Sequence, residues 1–286
     1  MRPELTIVES LPELIASVTP EEPEAESGRR RNYAVYRGMS DVGAPLLTSL
    51  DRLGAPDAPH SKVHLEEHIL RNFLRYSKPY VRTDQAEWEL LFTAQHHGLP
   101  TRLLDWSYSP LVAAHFATLD PVPRSDRVVW QLDWRRMHER FGLKPLAFLV
   151  QDLIEELQRR GIGSLGEFFA RAADSAPFAC MLEPPAMDHR ITVQSAAFTI
   201  TSDTSRAFDL FLAEHGLEGA LRGFVLPAAS VDLIRDQLDI CAIDERRLFP
   251  DLDGVAREVR RYYASSAAGP ALPDRPPPLR RAAPGP

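Results

Sequence analysis

Two adjacent imidazoles, a guanidinium, a carboxylate, an indole and a hydroxyl fall within one stretch, Gln95-His96-His97-Gly98-Leu99-Pro100-Thr101-Arg102-Leu103-Leu104-Asp105-Trp106-Ser107. Histidine moves protons near neutral pH, so His96 and His97 are the candidate catalytic acid and base. Arginine clamps phosphate or carboxylate, and an indole offers a face to a planar base. Arg102, Asp105, Trp106 and Ser107 are therefore candidate ligand-binding residues. Leu103, Leu104 and Trp106 are also core material, so the stretch must serve packing as well as chemistry.

Several chemistries are disfavoured by spacing. Neighbouring histidines on a helix point roughly a hundred degrees apart, which strains joint ligation of one ion, and HExxH is absent; no metal is expected. No GxGxxG follows a strand, no GxxxxGK[ST] appears, and GxSxG is missing. A Ser107, His96 and Asp105 triad can be drawn, but proximity in sequence does not supply triad geometry.

The elements that must position these groups follow from patterning. The Gly98-Leu99-Pro100 turn predicts that a helix carrying Ala94 to His97 stops at Gly98 and that an extended run begins near Thr101. Asp84 is placed to cap that helix, and Trp88, Leu91, Phe92 and Gln95 recur at helical spacing along it. Upstream, Val63 to Tyr80 carries an apolar stripe of Leu65, Ile69, Phe73 and Tyr76. Downstream, Ser109-Pro110 opens a helix with Leu111, Ala114, His115 and Ala117.

Asn32 to Gly38 alternates as a strand, with Tyr33, Val35 and Arg37 on one face and Ala34 and Tyr36 on the other. A guanidinium on an apolar face needs an anion, either Asp105 or a bound phosphate or carboxylate. Arg127 to Trp134, Phe178 to Leu182, Arg190 to Gln194, Ala197 to Ile200 and Ala220 to Leu226 also read as strands. Helices are predicted over 11–18, 146–160, 164–173, 206–215, 231–238 and 255–264. Strands and helices mix without a regular βαβ rhythm, so the expected class is α+β, a single domain with a mixed or antiparallel sheet flanked by helices.

The chain has 286 residues, 44% of them hydrophobic, enough for a sizeable core. Its formal net charge of −7 argues against a protein that grips nucleic-acid backbone over its whole surface, but leaves room for a local basic groove. Cys180 and Cys241 are far apart and read as small buried hydrophobes in a reducing compartment. Without a leader pattern or a membrane-spanning run, a cytoplasmic location and no membrane partner are expected. The organisation reads as an N-terminal segment and linker over 1–31, a domain over 32–266, and a disordered Pro/Ala/Arg-rich tail over 267–286.

Tyr36-Arg37-Gly38, the QHHGLPTRLLDW block and the small-residue helix from Pro110 to Ala117 together resemble the FRG domain family, named for an aromatic-Arg-Gly motif. Arg190-Ile191-Thr192-Val193-Gln194 with Phe198, and Leu248-Phe249-Pro250-Asp251-Leu252-Asp253-Gly254, look like its closing motifs. The order of these elements is similar to that of ADP-ribosyltransferases. That resemblance implies an NAD-binding site, with Tyr36 and Gly38 among its ligand-binding residues, in which Arg37 holds the phosphates and Trp106 or Ser107 lies beside the nicotinamide. Gln194 would then stand on the catalytic strand, where transferases of that class usually carry a glutamate. The implied protein is an NAD-dependent ADP-ribosyltransferase or an NAD glycohydrolase, a toxin or phage-defence effector that modifies a nucleic acid or protein. The other class it admits is a nucleotide- or nucleic-acid-sensing module without a reaction; a metal-dependent nuclease ranks third, because its acidic ligands lack a spacing signature.

Overall fold

Burial on both faces marks the centre of the sheet. In Arg127-Val128-Val129-Trp130-Gln131-Leu132, Val128, Trp130 and Leu132 enter one apolar cluster and Val129 enters another, so helices must cover both sides. The computed structural model describes residues 3–53, 62–79, 87–119, 125–171, 177–186 and 188–264. The chain begins β1 (Glu4–Ile7), α1 (Leu11–Val18), β2 (Val35–Met39), α2 (Ser49–Arg52), α3 (Lys62–Ser77), α4 (Glu87–His96), β3 (Leu104–Ser107) and α5 (Pro110–Ala117). It continues β4 (Arg127–Leu132), α6 (Trp134–Arg140), α7 (Val150–Arg159), α8 (Leu165–Arg171), β5 (Ala179–Leu182), α9 (His189–Val193) and β6 (Ala196–Thr201). It closes with α10 (Phe208–Glu214), β7 (Leu221–Leu226), α11 (Val231–Ile240), α12 (Glu245–Leu248) and α13 (Leu252–Tyr262).

The strands form one seven-stranded sheet, ordered β1-β7-β4-β2-β3-β6-β5. β1 runs parallel to β7 and every other neighbouring pair is antiparallel. This is the α+β architecture with a mixed, helix-flanked sheet that the patterning implies. On one face α1, α5 and α11 pack over Tyr36, Val129, Phe224 and Leu226. On the other, α6 and α10 pack over Val35, Leu104, Trp106 and Trp130. A third cluster, built by α3, α4, α7 and α8, closes on β5 and β6 through Phe92, Phe168, Phe178 and Phe198.

The junction between β2 and β3 is the weak seam of this sheet. The two strands meet at one registered pair, Tyr36 with Ser107, whereas β2 pairs with β4 from Val35 to Met39 and β3 with β6 from Leu104 to Ser107. Beyond that pair the strands part, and the gap between them becomes the entrance to a cavity.

Four expectations need correction. Arg190 to Gln194 is not a strand but the helix α9 with Gln194 as its C-cap. The β-branched run Ile191-Thr192-Val193 reads locally as extended, but Asp188 caps the first turn by accepting from Arg190 N at 2.7 Å. Ser195 then takes φ 48° to send the chain into β6. The segment before residue 32 is part of the same fold: β1 joins the sheet, and Leu11, Leu14 and Val18 enter the core. Trp134 begins α6 instead of ending a strand, because Asp133 caps that helix at Arg136 N. Cys180 is buried as expected, but Cys241 is exposed where α11 ends. Asp84 and the 267–286 tail lie outside the described residues.

Candidate functional site

The QHHGLPTRLLDW block folds by satisfying itself. Gly98, at φ 79°, ends α4 in a Schellman turn: Gly98 N donates to Gln95 O and Leu99 N to Ala94 O. Thr101 Oγ1 donates to Gln95 Oε1 at 2.6 Å and accepts from Leu103 N at 3.1 Å, which ties the helix end to the run into β3. Gln95 Nε2 then donates to Asp105 Oδ1 at 2.9 Å, aiming that carboxylate.

Arg37 occupies the gap between β2 and β3. Its Nη1 donates to the Asp105 backbone oxygen at 2.6 Å and lies 3.6 Å from Asp105 Oδ2. Asp105 thus supplies the structural anion. Burial lowers the pKa of Arg37, Asp105 opposes that effect, and the like charge of Arg52 adds to it. Its Nε is buried with no hydrogen-bond partner.

A cavity of about 520 Å³ opens at this point, within the range of pockets that hold small ligands. Arg37, Arg52 and Arg190 line it, with His96, Asp41 and Asp105 as its other ionisable groups and Tyr36, Phe116 and Phe198 among its aromatic walls. Arg190 lies over the Phe249 ring at 5.0 Å, and its Nε is also buried with no partner. Sequence reading passed over Arg52 and gave Arg190 no role. The signal for Arg190 in the sequence was its place at the head of the Arg190 to Gln194 segment that resembles a closing motif of the FRG family.

Of the two histidines, His96 lines the cavity and His97 is exposed outside its lining, edge-on to His96 at 5.2 Å. His96 Nε2 lies 2.9 Å from Asp188 Oδ2. A carboxylate accepts, so Nε2 holds the proton and Nδ1 is the basic atom of the ring. Asp188 is held below the usual carboxylate range, first by the hydrogen bond from Arg190 N and then, against partial burial, by His96.

Other candidates have different duties. Arg102 is buried away from the cavity: its N and Nε donate to Glu66 at 2.9 and 2.6 Å, and its guanidinium lies 4.7 Å over both Phe168 and Phe169. Trp106 and Ser107 both line the cavity, and the Trp106 indole donates to Thr199 Oγ1 at 3.0 Å and packs with Phe208. Ser107 Oγ donates to Gln194 O at 2.7 Å and accepts from Ser109 N at 3.0 Å, joining β3, α5 and the end of α9. Gln194 lines the cavity, but its amide Nε2 donates to Leu248 O at 2.8 Å. Gly38 lets α5 lie directly on β2, because a Cβ there would sit 1.8 Å from Ala113 O. Among the described residues no group of His, Cys, Asp and Glu could hold a metal ion. No described helix is long and apolar enough to cross a membrane.

α5 is anchored from behind by His115, whose Nδ1 accepts from Arg235 Nη1 at 3.1 Å while Arg235 pairs with Glu245. Burial, and then the Arg235 charge, push the His115 pKa down from 6.5 to about 4. The unfolded chain therefore takes up a proton that the folded chain refuses. Stability from this site is full above pH 6.5 and falls away as pH drops toward about 4. Urea midpoints measured between pH 7.5 and 5 should fall for the native protein and fall less for His115→Gln; equal slopes would show that His115 does not couple to stability.

Fold and cavity together define an α+β protein with an arginine-lined, aromatic-walled cleft opening at a parted pair of central strands. The model of the FRG domain matches residues 32–126, so an FRG domain is present there, carrying both the aromatic-Arg-Gly strand and the QHHGLPTRLLDW block. No curated protein and no solved structure matches the chain.

Proposed function

We propose that the cavity binds a nucleotide such as NAD and that the protein is an ADP-ribosyltransferase-like effector, a toxin or defence protein whose acceptor is a nucleic acid or a protein. One observation carries the reading: three guanidinium groups converge on a single cavity, two of them with a buried and unpartnered Nε. Leaving such donors without an anion is costly, and a phosphate accepts from several at once. It would also relieve the repulsion between Arg37 and Arg52. Phe116 and Phe198 offer aromatic surface to the base or nicotinamide.

Cleavage of the N-glycosidic bond builds positive charge on the ribose, which a nearby carboxylate stabilises. Asp41 and Asp105 are the carboxylates lining this cavity, and Gln95 and Arg37 hold Asp105 in place. The His96 ring, oriented by Asp188, is the base that would activate water or an acceptor hydroxyl.

NAD titration of the purified protein should show saturable binding that Arg190→Ala weakens about tenfold or more, with the melting temperature unchanged. Labelled NAD, alone and with cell extract, should release nicotinamide. His96→Ala should lower that release with little effect on binding, whereas His97→Ala should leave it nearly intact. Absence of saturable binding would sink the proposal. The second reading, a sensing module without a reaction, is favoured by the engagement of the Gln194 amide with Leu248. Binding without any nicotinamide release would establish it in place of the enzyme.

A further inference from the structure

The sides of α13 differ in chemistry. Gly254, Glu258 and Arg261 turn inward, where Glu258 pairs with Arg246 and Arg261 with Glu245 and Asp239. Leu252, Val255, Val259 and Tyr262 lie exposed along a second side. A third side carries Arg257 and Arg260, both exposed and three residues apart, so that they are neighbours on the helix surface. It closes at the C-cap with Tyr263, 74% exposed. Unlike Arg246 and Arg261, neither Arg257 nor Arg260 pairs with a carboxylate among the described residues. Asp253, a turn before Arg257, is the one carboxylate of the helix on this side.

This third side adjoins the cavity. The buried Phe249 ring has the guanidiniums of Arg190 and Arg257 each 5.0 Å from its centre and the Phe116 ring edge-on at 6.0 Å. Arg190 and Phe116 line the cavity, so Arg257 stands one ring away from it. From Val255 onward the sequence holds six arginines against Glu258 and Asp274, in a chain whose net charge is −7. A basic stretch on an acidic chain marks an anionic macromolecular partner.

We infer that the Arg257, Arg260 and Tyr263 side of α13 holds a single-stranded nucleic acid and leads it to the cavity. Guanidiniums track a phosphodiester backbone, and an exposed tyrosine beside them stacks an unpaired base, the combination by which single strands are held. Chemistry on a base also needs that base out of a duplex. Only the strand's role as acceptor rests on the reading of the cavity given above. In that role a strand nucleophile bonds to the ribose carbon as the bond to nicotinamide breaks, and the nucleophile's proton passes to the His96 ring.

Labelled DNA and RNA strands of about 20 nucleotides, titrated with the full chain in the absence of NAD, should change anisotropy saturably, with affinity falling as salt rises. Binding of either strand supports the inference. Arg257→Glu with Arg260→Glu should weaken it about tenfold or more, and Tyr263→Ala about fivefold or more, with unchanged thermal melts. Asp253→Asn should tighten it, a gain that misfolding cannot produce. The inference is overturned if neither strand binds, if the arginine reversal or Tyr263→Ala leaves binding intact, or if Asp253→Asn binds no tighter. It is also overturned if polyglutamate of equal charge competes as well as unlabelled strand, which would make this side a dock for an acidic protein. Because NAD is absent, failure here is distinct from failure of the NAD titration, which tests the cavity.

Discussion

Gly38→Ala should unseat α5 and cost roughly 3 kcal/mol or more, seen as a melting temperature lowered by about 10 °C. The added methyl would stand 1.8 Å from Ala113 O and 2.5 Å from Ala117 N, both backbone atoms that no rotamer change can move. The helix must then lift from β2. It carries with it Ala113 and Phe116, which line the cavity, and strains the Ser107 to Ser109 link at its start. The nucleotide binding proposed for this cavity should fall together with stability. A variant that melts like the native protein would show that β2 and α5 do not pack as described.

Arg102→Ala should destabilise the protein by about 3–5 kcal/mol, because it strands the Glu66 carboxylate in the core. The Arg102 and Glu66 side chains are 0% and 1% exposed and paired at 2.6 Å. Glu66→Ala should cost a similar amount. Replacing both, as Glu66→Leu with Arg102→Met, should recover most of the loss, since a well-packed apolar pair avoids the desolvation of two charges. Denaturant melts of the three variants separate this from a ligand-binding role. If Arg102→Ala melted normally but lost nucleotide affinity, the arginine would belong to the cavity after all.

The contrast between Arg37 and Arg102 shows how far local pattern reaches. Both are arginines beside apolar residues in recognisable motifs, and sequence reading set both in one site. Arg37 reaches the cavity because β3 diverges from β2 after one pair. Arg102 precedes β3 and turns inward because α3 brings Glu66 to it from 36 residues away. Nothing near Arg102 in the chain announces that partner. The misread strand at Arg190 has the same origin: β-branched residues favour extension only weakly, and a capping aspartate with a left-handed Ser195 outweighs them.

What the sequence determined alone was local and periodic. It set the α+β class, the strand at Tyr36-Arg37-Gly38, the helix stop at Gly98, the helix start at Ser109-Pro110, and the gathering of His96 and Asp105, both of which line the cavity, into one short stretch. These follow from alternation, helical spacing and turn chemistry, which act over a few residues. The tertiary structure alone decided which polar groups face the cavity and which face one another. It sent Arg102 to Glu66, Gln194 to Leu248 and His97 to solvent, brought Arg52 and Arg190 to Arg37, and turned the apolar side of α13 outward. Those choices depend on long-range partners and on where the central strands part. They are energies of pairing and burial between distant segments, which spacing along the chain does not encode.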